Sequence, residues 1–234
     1  MSGSFRSAEL TVLICSGLLA LSCSPAFAQT ASSKQTAGIA TVSVAGCSSN
    51  SAGLPCVTDW VNVTPVLTVK TSNSTSLFVD ASLVTGLYTS TQVKGNSTGA
   101  TSSATAEAGV HVRVLLDGSV YAFPDQAGSG ITFDSRVQTL TANLGYIFTS
   151  ACIASPTTCA LTPEQITLIL DTSSAHSFNF ILLNVGAGTH TVQVQAQTDA
   201  HSTASTGGVA VSNAAYGPGS VTIDVVRLVH DFSF

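Results

Sequence analysis

The sequence predicts an all-β protein, a single-domain antiparallel β-sandwich that is jelly-roll-like. Three observations lead there. Apolar and polar residues alternate with period two through most of the chain. Gly, Pro, Asn, Asp and Ser cluster between those runs, as turns require. Beyond the first 28 residues no apolar stripe recurs at the helical spacing, and no repeat of fixed period points to a propeller or solenoid.

Of 234 residues, 1–28 read as a cleaved signal peptide. An apolar run at 11–21 precedes Ala26-Phe27-Ala28, a small-x-small cleavage site. The run is shorter than the roughly 20 residues that span a bilayer. Cys23 is the rival reading, as a lipid acceptor. Residues 29–37 are polar and read as a flexible mature N-terminus, and 38–234 form the sandwich domain. The expected location is secreted, periplasmic or at the cell surface, in a bacterium, with no transmembrane segment.

The pattern is clearest in residues 177–229. Residues 179–183 run as one strand into Gly186-Ala187-Gly188, and 189–197 return as the next. A Ser/Ala/Gly-rich stretch follows, read as a loose loop, and 220–226 close the domain. Phe178, Phe180, Leu182, Val192, Val194 and Ile223 are the expected core. At Val225-Val226-Arg227-Leu228 the apolar phase slips by one, which predicts a bulge or a strand buried on both faces.

Upstream, residues 38–45 are a first strand, 47–56 a loop bounded by Cys, and 66–69 a strand entered from Pro65. Residues 76–84 place Leu77, Val79, Ala81 and Leu83 on one face, and Gly86 ends the strand. Residues 96–103 are a loop. In 108–116, Val110, Val112, Val114 and Leu116 oppose His111, Arg113 and Leu115. Asp117-Gly118 then signals a hairpin, since a type I′ turn needs positive φ at both central residues. Residues 119–123 return. Residues 130–135 and 137–148 are two strands or one bent strand, with Leu140, Ala142, Leu144, Tyr146 and Phe148 on one face. Thr162-Pro163-Glu164-Gln165 resembles a helix start, followed by a single turn and then a strand carrying Ile166, Leu168 and Leu170.

Four cysteines follow the leader. Local pairing, Cys47 with Cys56 and Cys152 with Cys159, is the simplest disulfide scheme for an exported chain, and crossed pairings satisfy the same count. Neither pair has zinc-ligand spacing. Charged residues are only 8% of the chain, the net charge is −5, and no basic cluster exists. That argues against nucleic-acid binding, which needs phosphate-facing cations.

Chemistry-bearing residues do not assemble into a motif. His111, His176, His190, His201 and His230 lack metal-site spacing, and no cofactor or metal is expected. His190 reads as a strand-end histidine hydrogen-bonded at the core rim, and His111 as solvated beside Arg113. No G-x-S-x-G elbow occurs. Asp80, Glu107, Asp134, Asp171 and Asp224 are unpaired along the sequence, and Asp117 is explained by its turn. Asp125, Asp199 and Asn213 read as loop oxygens open to calcium. The sequons at Asn62, Asn73 and Asn96 read as chance matches in a Ser/Thr-rich chain. Thr191, Gln193, Gln195 and Gln197 make an uncharged polar stripe opposite Val192, Val194 and Ala196. Amides donate and accept, so this stripe is the candidate binding face.

At Gly188-Thr189-His190-Thr191-Val192-Gln193-Val194 and Gly219-Ser220-Val221-Thr222-Ile223 the chain resembles C1q/TNF-like jelly rolls and secreted bacterial sandwich proteins. The resemblance covers about the last third of the chain. It implies a fold and a homotrimer, and carries over no catalytic residue. The functional expectation is an exported non-enzymatic surface, adhesive or binding module. The alternative is a carbohydrate-binding or glycosidase-type protein with a glycan partner. Trp60 and the scattered Tyr88, Tyr121, Tyr146 and Tyr216 speak against that alternative.

Overall fold

The computed structural model describes residues 35–40, 45–95, 100–147 and 162–226. The chain divides into Met1–Ser32 and Ser33–Phe234, and the sandwich lies in the second unit. The leader, Cys23, Asn96, the pair Cys152 and Cys159, and His230 fall outside the described residues.

Every regular element described is a strand. The chain opens with β1 (Gln35–Ala40) and β2 (Ala45–Asn50), then three short pieces, β3 (Cys56–Val57), β4 (Val61–Asn62) and β5 (Leu67–Thr71). Two long strands follow, β6 (Thr75–Lys94) and β7 (Ser102–Leu116). The stub β8 (Val120–Tyr121) leads to β9 (Ile131–Ala142), and a small hairpin forms from β10 (Tyr146–Ile147) and β11 (Thr162–Pro163). The last three are the longest run: β12 (Gln165–Val185), β13 (Gly188–Ala204) and β14 (Gly208–Val226).

These strands fall into two antiparallel sheets. In one, β1 and β2 flank β14, followed by β6 and β12. In the other, β3, β4 and β5 flank β13, followed by β7, which carries β8 and β9 on its far edge. Counting collinear pieces as one lane, the lanes run 1-8-3-6 over 2-7-4-5. That order is the double Greek key of a jelly roll. β14 and β6 pack against β13 and β7.

The expected alternation holds where apolar side chains fill the interior. Leu77, Val79, Ala81, Leu83, Val110, Val112 and Val114 are buried, as are Phe180, Leu182, Val192, Val194 and Ile223. Burying one such side chain contributes about 1.5–3 kcal/mol. The Asp117-Gly118 turn forms as expected, with φ of 51° and 72°, and the Ser119 N–H donates to Leu116 O at 3.2 Å.

Several expectations are corrected. Gly86 does not end its strand: β6 continues to Lys94, because residue 86 lies on the outward face, where the nearest atom to an added Cβ would be Thr172 O at 4.0 Å. The Ser/Ala/Gly-rich stretch after residue 197 is not a loop. β13 and β14 run through it, joined by a turn at 205–207, with Thr198, Ala200, Ser202, Ala210, Ser212 and Ala214 pointing inward and buried. No helical turn follows Pro163; β12 starts at Gln165. Of the two readings of 130–148, the single irregular strand is found over 131–142, with a register shift opposite Val110 and His111, and it stops short of Tyr146, which starts β10. The first strand starts earlier, at Gln35, and 47–50, expected in the loop bounded by Cys, belong to β2. Phe178 is 37% exposed rather than in the core, with its ring 5.1 Å from that of buried Phe180. From Gly219 to Val226 β14 pairs with β6 without a slip, and both Val225 and Val226 are half-buried, while Arg227 and Leu228 lie outside the described residues. Its register shift sits earlier, between Tyr216 and Gly219.

The Cys47–Cys56 disulfide forms, with a Cα–Cα distance of 5.7 Å. Cys47 lies on β2 and Cys56 on β3, so the bond ties one sheet to the other at their shared edge. A disulfide fits an oxidising extracellular compartment. Among the described residues no helix is long and apolar enough to cross a membrane.

Candidate binding face

The polar stripe sits on the outward face of β13. Thr191, Gln193, Gln195 and Gln197 are all half-buried, because neighbouring lanes carry side chains that lean on them. Register places Gln193 opposite Leu115, Gln195 opposite Arg113 and Gln197 opposite His111 on β7. On the other edge, residues 56–63 run beside β13 in broken pieces.

Hydrogen bonds order most of the stripe. Arg113 Nε donates to Gln195 Oε1 at 2.8 Å, and Gln195 Nε2 donates to Asn62 Oδ1 at 3.0 Å. Gln197 Nε2 donates to Thr58 O at 2.7 Å. The Thr191 N–H donates to Asp117 Oδ1 at 2.8 Å. Amides fixed this way have lost their rotamer freedom in advance, which lowers the entropic cost of binding.

Above Gln195 sits an aromatic group that the sequence scatters over 61 positions (Tyr121 minus Trp60). The Arg113 guanidinium lies 4.3 Å from the centroid of the Trp60 ring and 5.7 Å from that of Tyr121. Its Nη1 also donates to Gly128 O at 3.0 Å. Such stacking contributes about 0.5–2 kcal/mol, depending on desolvation. Gly130 makes it fit. Its φ is +82°, and a Cβ there would stand 2.3 Å from the Trp60 ring. The buried Asp125 carboxylate holds that turn by accepting the Gly130 N–H at 2.9 Å.

Further along the same face, His111 Nε2 is 2.8 Å from Asp199 Oδ1. His111 is therefore paired rather than merely solvated. Gly109 permits this: a Cβ there would fall 2.4 Å from Asp199 Oδ1, so the carboxylate lies across the bare backbone. His201 and Glu107 stand 3.7 Å apart as the next rung. Asp199 and Asn213 lie on strands, not loops.

His190 is hydrogen-bonded at the rim. Its Nδ1 is 2.8 Å from Asp117 Oδ2 and its Nε2 3.0 Å from Gly186 O. The Asp117 hydrogen bond and the Gly186 carbonyl raise the His190 pKa above its ordinary value, against a smaller opposing push from burial. The imidazole and the Thr191 N–H lower the Asp117 carboxyl in turn. The turn after β7 is thereby clasped to the turn before β13. His176 lies elsewhere, between the sheets, 3.3 Å from Asp134. Among the described residues, no three metal-ligating side chains cluster.

The sequence missed Trp60, Arg113, Asn62, Thr58 and Asp199 as parts of this face. The signals were glycines: Gly109 in mid-strand, and Gly130 closing a turn. No protein-family model matches the chain, and no curated protein does. Among solved structures, the infectious bursal disease virus VP2 subviral particle aligns with a TM-score of 0.15 and 9% identity, over 83% of this chain and 41% of that one. The Gx strain structure of the same virus aligns at 0.16 and 10%, over 84% and 42%. The chain thus spans about two-fifths of the length of these structures.

Proposed function

We propose that this protein is an exported, non-enzymatic β-sandwich that serves as a surface, adhesive or binding module, and that it binds through the outward face of β13 and β7. The observation that carries this reading is the pre-ordered amide stripe, in which Gln195 and Gln197 are locked by Arg113, Asn62 and Thr58. Four of the acids have structural partners. Asp117 clasps His190, Asp125 closes a turn, Asp134 accepts from Thr85, and Asp199 meets His111. A rigid polar face with little net charge suits a hydroxyl- or amide-rich partner surface.

A second reading, carbohydrate binding, has one observation in its favour. Trp60 and Tyr121 stand beside the Gln195 amide, a combination suited to a sugar ring. Arg113 already occupies the space by both rings, which weighs against it. A glycan array and solid-phase binding to immobilised polysaccharide and protein surfaces test both. Binding that falls at least tenfold in Gln193→Lys supports the face. Glycan binding lost in Trp60→Ala favours the second reading. Release of reducing sugar from any glycan would overturn the non-enzymatic reading.

A further inference from the structure

Among the described residues the sandwich has four sheet edges, and three of them are made of separate pieces. β1 and β2 divide one, β3, β4 and β5 divide another, and the β8–β9 edge is interrupted between its two pieces and carries a register shift. Breaks of this kind stop sheets from pairing edge to edge. The fourth edge is β12. It pairs with β6 without a slip from Gln165 to Leu182.

The direction of its backbone groups can be fixed. Ile181 N–H donates to Phe123 O at 3.0 Å, and Phe123 N–H donates to Ile181 O at 2.7 Å. Residue 181 therefore points its N–H and C=O away from β6. Ser174 O accepts from Thr85 Oγ1 on β6, so even-numbered residues point inward to the ladder. Parity carries this back along the strand. The eight odd-numbered residues from Gln165 to Asn179 thus direct both backbone groups outward, and no described residue is hydrogen-bonded to them. Along this stretch Ile166, Leu168, Ile169 and Leu170 are 41–55% exposed. It contains no Lys, Arg, Pro or Gly.

We propose that β12 pairs with β12 of a second copy of this chain, antiparallel about a two-fold axis at Thr172. The inference stands apart from what the outer face binds. That register uses the whole open stretch. Eight residues on each of two copies donate one bond each, giving 8 × 2 = 16 hydrogen bonds. Gln165 then meets Asn179, Asp171 meets Ser173, Ile169 meets Ala175 and Ile166 meets Phe178. Ile166 and Ile169 thus face apolar residues and Gln165 an amide, while Leu168 meets His176 and Leu170 meets Ser174. Odd residues make the hydrogen-bonded pairs, so Thr172 meets its own copy in a non-hydrogen-bonded pair, with Cα atoms about 4.5 Å apart. Fifteen residues span about 51 Å, and a strip about 10 Å deep covers about 500 Å² on each copy. The total of about 1,000 Å² sits at the lower bound for a specific interface, so the dimer is reversible and concentration-dependent. The one unfavourable feature is Asp171. It lies diagonal to its own copy, about 7 Å away, where like charges weaken pairing roughly threefold at low salt.

Sedimentation velocity of the purified protein across a concentration series tests this. Wild type shifts from monomer to dimer. Ser173→Pro stays monomeric with unchanged strand content, because it deletes an outward N–H and leaves the β6 ladder whole. Asp171→Asn dimerises about threefold more tightly at low salt. Thr172→Cys gives a disulfide-linked dimer on mild oxidation, whereas Thr167→Cys, about 34 Å from its own copy, does not. A wild type that remains monomeric or forms a trimer overturns the proposal. So does a Ser173→Pro variant that still dimerises, or failure of Thr172→Cys to cross-link.

Discussion

Gln138 is the side chain whose removal tests the account of the interior most directly. It is 4% exposed and stands between the sheets where β9 faces β6. Its Oε1 accepts from Thr89 Oγ1 at 2.7 Å, and its Nε2 donates to Thr91 Oγ1 at 2.8 Å and to Leu168 O at 2.7 Å. Thr89 and Thr91 are fully buried. Gln138→Ala strips both hydroxyls of their amide partner in a site without water access. Each stranded polar group costs about 1–3 kcal/mol, so the variant loses about 3 kcal/mol. The Leu168 carbonyl keeps its ladder bond to β6 and adds little. A triple variant, Gln138→Leu with Thr89→Val and Thr91→Val, removes donors and acceptors together and stays within about 1 kcal/mol of wild type. Urea unfolding with the disulfide intact reads both, as a midpoint about 1 M lower for the single variant. A Gln138→Ala midpoint equal to wild type would refute the reasoning. A triple variant as weak as the single one would do so as well.

Three further outcomes follow from particular groups. Among the described residues Tyr216 is the largest fully buried side chain and its hydroxyl has no hydrogen-bond partner, and burial raises its pKa; Tyr216→Phe is expected to stabilise by about 1 kcal/mol in urea unfolding. The His190–Asp117 clasp carries a pH signature. A raised His pKa gives stability that is present below about pH 6.5 and lost as pH rises through the folded value, and a lowered Asp pKa gives stability lost as pH falls through its folded value, below about 4. The melting temperature of wild type minus that of His190→Gln is therefore largest near pH 5 and shrinks by pH 8.5; a flat difference contradicts the clasp. Reducing Cys47–Cys56, which closes a separation of 9 residues, removes about 2.5 kcal/mol of chain-entropy stabilisation, read as a lower urea midpoint after selective reduction and alkylation.

The sequence revealed the fold where large apolar residues alternate, and hid it where small ones do the same work. The Val110–Leu116 run and the Asp117-Gly118 turn are legible because their side chains and φ values admit few alternatives. The second half of β6 turns Thr85, Thr89 and Thr91 inward, so its period-two pattern carries no hydropathy contrast. Only the tertiary partners Asp134 and Gln138, some 49 positions away, make those threonines interior residues. The same holds for β13 and β14 beyond residue 197. There Ser202 and Ser212 meet at 2.8 Å in a buried layer built from Ala, Ser and Thr. The binding face was half legible. Alternation exposed the amides, but Trp60, Arg113 and Tyr121 converge through a lane crossing that no local pattern encodes.

The scarcity of charge has a structural cause in the length of the strands. On β6, flanked on both sides by β14 and β12, outward residues from Phe78 to Gln92 are half-buried without exception, since neighbours on each side shield them. A full charge at such a site loses hydration and needs a partner, whereas hydroxyls and amides can bond sideways to the next lane. Gln92 Nε2 to Thr167 Oγ1 at 3.0 Å and Thr105 Oγ1 to Thr139 Oγ1 at 3.1 Å are examples. The ionisable groups that stand on these faces have such partners: Asp199 with His111, Glu107 with His201, and Arg113 with Gln195 and two rings. A chain that avoids lysine for this reason also gives up the commonest guard of an open strand edge. Short pieces and a register shift guard three edges of this sandwich by geometry instead. On β12, uninterrupted from Gln165 to Leu182 and bearing the single acid Asp171, neither guard is present, and pairing with its own kind is the consequence.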